Sequence, residues 1–419
     1  MFCKKWIILF LIILLFGAFR KIWLGMNVLN YVKNNSEEVN IERLLSLTNV
    51  KATLSSLPNN QSTLIMFLNR HIIQMTFNWL CNTQHMEGNF SFEIIFSLGF
   101  SFELFQPFHD CSIQSPFKIN FPLQENNDRK FNIPYVHSRT LLITIDKIAS
   151  KKMAQRWPNL RILEININSL HLPFNYGDGP YHLFTVFRAN LASLISSLGK
   201  PFWMIQQDTY WRENLLKLDL ENINESADII FDRSSPAEGN NLIAGGYFFV
   251  RPTLRSTQFF AKLATNLLNS YTPDNGLMTS LCSDSSSINC GQIPFCSITN
   301  WLWLQNYVST TDKNECNPSL IQFDGDADSG GKLGKMRLEG YYFLLDDGKT
   351  CNFEGIKEIE GGIRQNTVSK ETRGFYSSFS QQQFTFYLRI LDHFYKYTPT
   401  TWLLNNVLYP NAHYFMITI

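Results

Sequence analysis

The sequence predicts an α/β fold, a mostly parallel sheet covered by helices on both faces. Short, largely apolar runs of strand length recur along the chain, as at Leu64–Leu68 and Thr140–Ile145. Strands buried on both faces read this way rather than as an alternation. Helical patterns lie between them, and strands alternating with helices give parallel sheets. The clearest unit runs from Asp178 to Trp211. Asp178-Gly-Pro180 is a helix start; Phe184, Phe187, Leu191, Leu194 and Leu198 keep helical spacing, and Gly199 follows as a C-cap. The chain then reads Lys200-Pro-Phe-Trp-Met-Ile-Gln-Gln-Asp-Thr-Tyr-Trp211, a buried strand that stops at Asp208. Ligands of open α/β sheets bind at the carboxyl ends of the strands, so Asp208 stands where chemistry is expected.

At the N-terminus, Lys4-Lys5, the 14-residue apolar run Trp6–Phe19 and Arg20-Lys21 predict a signal anchor over residues 1–26. The run is short of the roughly 20 residues of a full span but suits the core of a signal peptide. Left uncleaved, it makes a type II protein of the Golgi or endoplasmic reticulum membrane with its catalytic part lumenal; cleaved, the protein is secreted. Residues 27–61 are rich in Asn and Ser and read as a stem, with a weak helical pattern over Ile41–Leu54. Four N-x-Ser/Thr sites, at Asn34, Asn60, Asn89 and Asn224, agree with passage through the secretory pathway. So do the eight cysteines, read as disulfides of unreadable pairing rather than as a metal site. Lys and Arg total 36 against 35 for Asp and Glu. That balance, without a basic stripe, argues against nucleic-acid binding.

A single domain is expected over residues 62–345. Its first strand, Leu64–Leu68, ends at Asn69 and leads into a helix through Ile72, Met75 and Trp79. Residues 87–134 hold ten phenylalanines without strand or helix period, and read as an insertion, packed or foreign to the mature protein. Thr140–Ile145 is the second strand, and Asp146 caps the helix Lys147–Arg156. Arg161–Ile167 is the third, and the unit around Asp208 follows. Ala227–Asp232 and Leu242–Val250 are further strands, the latter with Gly245-Gly246 where a ligand or another backbone can approach closely. Phe259, Phe260, Leu263, Leu267 and Leu268 mark another helix. Residues 346–419 form a C-terminal extension with an amphipathic pattern at Phe384, Leu388, Leu391 and Phe394.

Gln206 and Asp208 lie two apart at a strand end, so their side chains share one side. Two carboxylates so placed can hold Mg²⁺ or Mn²⁺ against a diphosphate. Here one position is an amide, and spacing alone leaves Asp208 equally a structural cap for Arg212 or the next helix.

An ordered series of segments resembles the nucleotide-diphospho-sugar transferase family, of the GT-A, Rossmann-like glycosyltransferase fold, and particularly its nematode-type members. The segments are Met75–Asn82, Val136–Leu141 through Asp146, Arg188 in its helix, Gln206–Trp211, Ala227–Asp232, Ala244–Arg251, Asp274-Asn275 and Gln322–Asp326. The resemblance implies a sugar transferred from a nucleotide-diphosphate donor to a glycan or glycoprotein acceptor, by a hexosyl- or pentosyltransferase. It implies a divalent metal, Mn²⁺ or Mg²⁺, on Asp208 and Gln206, with Gln206 standing where the family has an acid. Arg188 is implied to face the diphosphate, Asn69 and Asp146 to contact the base or ribose, and Gly245, Gly246 and Tyr247 to border the sugar. Asp274 is implied to be the catalytic acid facing the transferred sugar or the acceptor. A catalytically weakened protein of the same fold, binding a glycan or a partner, is the alternative.

Overall fold

The computed structural model describes residues 23–86, 135–173, 176–234, 241–300, 318–323 and 331–364. The apolar run Trp6–Phe19, the phenylalanine-rich stretch and the pattern at 384–394 lie outside the described residues. Ten strands are described, in chain order β1 (Thr63–Leu68), β2 (Thr140–Thr144), β3 (Arg161–Glu164), β4 (Phe202–Met204), β5 (Thr209–Trp211), β6 (Ile229–Arg233), β7 (Ile243–Val250), β8 (Cys290–Gln292), β9 (Ile298–Thr299) and β10 (Leu320–Gln322). The helices that position the site are α1 (Ile73–Thr83), α2 (Lys147–Arg156), α3 (Gly179–Ser197), α4 (Leu254–Asn269), α5 (Asp274–Cys282) and α6 (Gly331–Leu338).

Seven strands form one sheet in the order β3-β2-β1-β4-β7-β6-β8. β3, β2, β1 and β4 are mutually parallel, as is β8 to β6, while β7 runs antiparallel to both neighbours. The expected mostly parallel sheet is therefore present. Its antiparallel member follows from chain length. Only residues 234–242 separate β6 from β7, fewer than the dozen or so a parallel crossover needs. One consequence matters for function: the start of β7 lies beside the end of β4.

Two cores sandwich the sheet, and alternate residues of β1 feed them. Ile65 and Phe67 enter the core shared with α3, α4 and α5; Leu64, Met66 and Leu68 enter the one shared with α1 and α2. The segment expected to be a stem contributes to the first core, with Val32, Val39, Leu44, Val50 and Leu54 fully buried. Residues 41–57 thus pack against the domain. The weak amphipathic pattern there is that of two short helices, Ile41–Ser46 and Thr48–Ser55.

Local signals set the element ends. Asp146 caps α2, its Oδ1 accepting from Ala149 N at 2.9 Å, and Asp178 caps α3 by accepting from Tyr181 N at 2.8 Å. Gly199 ends α3 with φ +73°, the left-handed conformation a glycine adopts without a Cβ penalty. Disulfides join Cys81 of α1 to Cys351 and Cys282 of α5 to Cys290 of β8. The cysteines at 282 and 290 are thereby accounted for as a covalent staple.

Candidate functional site

β4 ends one residue before Ile205, and the chain then crosses the carboxyl edge of the parallel strands to reach β5. A second, three-stranded sheet, β5-β10-β9, closes over this edge, with Gln322 of β10 opposite Thr209 of β5. Asn82 of α1 fixes β5 in place: its Nδ2 donates to Trp211 O at 2.9 Å and its Oδ1 accepts from Trp211 N at 2.7 Å. The Trp211 indole N–H then donates to the Tyr247 hydroxyl at 3.0 Å, and that hydroxyl donates to Gln206 O at 2.8 Å. The tryptophan is fully buried; its role is to orient Tyr247 beneath the Gln206–Asp208 turn.

Seven of the nine candidate residues meet here. Asp208 is 4 % exposed; its Oδ2 pairs with the ammonium of Lys332, and its Oδ1 is buried with no hydrogen-bond partner among the described residues. Gln206 Oε1 accepts from Gln322 Nε2 at 2.5 Å. Gly246 makes that pairing possible, because a Cβ there would lie 2.4 Å from Gln322 Oε1. Gly245 has φ +79°. It lets the chain turn so that three successive amides, of Gly245, Gly246 and Tyr247, converge on Asp232 at 2.7, 3.1 and 2.8 Å. Burial raises the Asp232 carboxyl to about pH 7, against the lowering effect of those N–H groups and Arg188.

Arg188 is buried on α3. Its Nη1 lies 3.4 Å from Asp274 Oδ2, its Nη2 donates to Gly245 O, and its guanidinium sits 4.9 Å from the Phe248 ring centroid. Asp274 also accepts from Asn275 N at 3.0 Å. The pair therefore supports the turn at Gly245. Asn69 and Asp146 lie at the ends of β1 and β2 on the same edge of the sheet. Asn69 Oδ1 accepts from His71 N at 3.0 Å, and Asp146 Oδ2 accepts from Arg70 N at 2.7 Å. With both oxygens of Asp146 bonded to backbone amides, its observed work is to cap α2 and order the loop after β1.

Sequence reasoning missed Asp232, Gln322, Lys332 and Tyr181. Asp232 read only as a strand end, and its partners become visible only when β7 folds back. Gln322 and Lys332 reach the turn from more than a hundred residues away. Burial first, then Asp274, hold the Tyr181 hydroxyl well above its ordinary pKa, and Arg188 and Asp208 also act on it.

The expected metal finds a poor home among these residues. Mn²⁺ and Mg²⁺ favour several hard oxygen ligands. Among the described residues no group of three or more His, Cys, Asp or Glu is placed to hold an ion. The one carboxylate at the turn pairs with an ammonium, and the neighbouring amide oxygen accepts a hydrogen bond from Gln322.

The polar, glycine-bordered cluster lies at the carboxyl ends of the parallel strands, where open α/β sheets bind their ligands. Residues 135–337, just under half of the chain, match the family model described as nucleotide-diphospho-sugar transferase. The matched region holds every candidate residue except Asn69; β1 and α1 precede it. No curated protein matches the chain. Solved structures similar to it include a galactosyltransferase, LgtC, in complex with donor and acceptor sugar analogs (9 % identity, TM-score 0.38, covering 72 % of this chain and 95 % of that one). Another is the glycosyltransferase GlyE of Streptococcus pneumoniae (9 %, 0.39, 75 % and 66 %). A third is mouse xyloside xylosyltransferase 1 (9 %, 0.37, 62 % and 97 %).

Proposed function

We propose that the protein is a glycosyltransferase of the secretory pathway, moving a hexosyl or pentosyl group from a nucleotide-diphosphate donor to a glycan or glycoprotein acceptor. The observation that carries this reading is the Gln206–Asp208 turn with Gly245–Tyr247 beside it, all within the stretch that matches the family. In such a transfer the bond from the sugar's anomeric carbon to the diphosphate breaks, and negative charge develops on the leaving group. A positive charge at the strand end stabilises it. The acceptor hydroxyl must be oriented and lose its proton.

The secretory assignment is supported by the disulfides Cys81–Cys351 and Cys282–Cys290, a kind of bond that persists in oxidising compartments, together with the anchor expected over residues 1–26. No helix among the described residues is long and apolar enough to cross a membrane. The test is a panel of UDP- and GDP-sugars, with release of nucleoside diphosphate followed for the wild type and for Asp208→Asn. One donor is expected to be turned over, and the substitution to slow it by roughly 100-fold, the scale of losing one preorganised electrostatic contact. Binding without turnover would favour the reading in which the Gln206 amide marks a weakened, glycan- or partner-binding protein. Neither binding nor turnover of any donor would end the transferase proposal.

A further inference from the structure

We propose that Asn82 of α1 is a positioning residue for the donor turn, acting through Trp211 and the Tyr247 hydroxyl on the Gln206 carbonyl, an inference that rests on the donor-site reading above. α1 lies before the matched region, so the turn takes its position from a helix outside it.

Asn78, Cys81 and Asn82 stand at i, i+3 and i+4, one face of α1, and all three are buried. Asn78 Nδ2 donates to Tyr341 O at 3.0 Å, and its Oδ1 accepts from Phe343 N at 2.5 Å. Cys81 is bonded to Cys351, which in turn bridges Leu344. These two contacts fix α1 to residues 341–351, which hold no candidate residue. Asn82 applies the same two atoms to β5. That strand is the edge of its sheet, paired with β10 on one side, and an edge leaves backbone groups without a ladder. Asn82 takes both the N–H and the C=O of Trp211, the residue from which the bonds to the turn begin.

The turn is held at both ends by backbone. Ile205 N donates to Ile65 O at 3.0 Å, and Asp208 O accepts from Phe323 N at 2.8 Å. Between them the Gln206 carbonyl accepts from the Tyr247 hydroxyl. A tyrosine hydroxyl has one proton to donate, and an indole N–H can only donate. The Trp211 indole on the Tyr247 oxygen therefore leaves that proton for Gln206 O. Without Asn82 the Trp211 backbone loses its clamp, the indole no longer orients the hydroxyl, and the Gln206 peptide is released two residues from Asp208. Asn82, Trp211 and Tyr247 are buried, so water does not stand in for the lost bonds.

The test is calorimetric titration of the full-length chain with UDP and with GDP in Mn²⁺, where the stoichiometry counts folded protein and the Kd reports the turn. Asn78→Ala is the matched control, since it also removes two buried bonds from α1, and both alanine variants should lose stability in denaturant unfolding. Asn82→Ala is expected to weaken nucleotide binding by ~10-fold at unchanged stoichiometry, the effect of a site left loose by its support. Asn78→Ala, whose partners are not in the relay, should keep the wild-type Kd within about 2-fold, since independent positions do not couple. Tyr247→Phe keeps the ring and removes the hydroxyl, so it reads the relay even where Asn82→Ala does not fold. It should match Asn82→Ala, and the double variant should bind no more weakly than either single one, because both cut one chain of bonds. Equal Kd losses in Asn82→Ala and Asn78→Ala overturn the proposal. So does an unchanged Kd in Asn82→Ala or Tyr247→Phe, or a double variant in which the two losses multiply. If wild type binds neither nucleotide, the donor-site reading itself fails and the positioning role falls with it, a result distinct from binding that ignores Asn82.

Discussion

Arg188→Met should lose about 4 kcal/mol of folding stability, the scale of removing one partner from a buried ion pair. Three contacts go at once: the Asp274 carboxylate, the Gly245 carbonyl and the Phe248 ring. Methionine fills part of the volume but leaves Asp274, itself only 8 % exposed, as an unpaired buried charge. Denaturant unfolding should therefore show a lowered midpoint with an unchanged slope. Asp274→Asn alone should also destabilise. The double substitution should cost clearly less than the sum, because the second change removes the charge that the first one stranded. Strict additivity of the two would show that the pair is not coupled and that Arg188 does not support the Gly245 turn through Asp274.

Asp232→Asn is the second large effect, with an expected loss of about 2 kcal/mol at pH 4, the scale of stranding one buried N–H. The carboxylate accepts from three amides. An asparagine oxygen can serve those of Gly246 and Tyr247, but its NH₂ would face the amide of Gly245, donor against donor. The pH dependence has a definite sign. The carboxyl sits at about 7 in the folded protein against 3.8 for its ordinary value, so between these the folded state holds the proton more tightly than the unfolded one. Its contribution to stability is complete below about pH 4 and is lost as pH rises to 7. Wild type should thus lose stability relative to Asp232→Asn between pH 4 and 7, and the gap should be constant above that. A difference that widens in the opposite direction would mean that the three N–H donors outweigh burial.

The sheet and the position of its site were legible because they depend on near-neighbour pattern. Gly199, Asp178 and Asp146 act within a few residues of themselves, and each does in the fold what its local chemistry requires. Asp208 could be placed because a strand's carboxyl end is defined by the strand itself. The partners of these residues were not legible. Lys332 and Gln322 meet the turn only because β10 pairs antiparallel with β5, and nothing in either short segment announces that pairing. Asp232 looked like a strand end because its ligands are backbone amides, which carry no signature of their own. Polarity misled at residues 27–61: the buried side chains Val32, Val39 and Leu44 are separated by the exposed Lys33, Asn34, Glu37, Glu42 and Arg43, so their common burial appears only once the segment packs on the domain. Asp274 and Arg188 were legible only as single residues, and their pairing with each other was not, because they lie on α5 and α3 and no local pattern links them.

The central claim is that the turn at Gln206–Asp208 and the glycines of β7 together bind a nucleoside diphosphate sugar. Amide hydrogen exchange of the full chain, with and without a saturating UDP- or GDP-sugar, tests it most directly, since a ligand slows exchange in the units whose opening requires its release. The expected result is slowed exchange at residues 205–211 and 243–247, with the helices at 41–55 unchanged. Donor binding that leaves those two segments untouched, or that protects only residues distant from them, would contradict the claim.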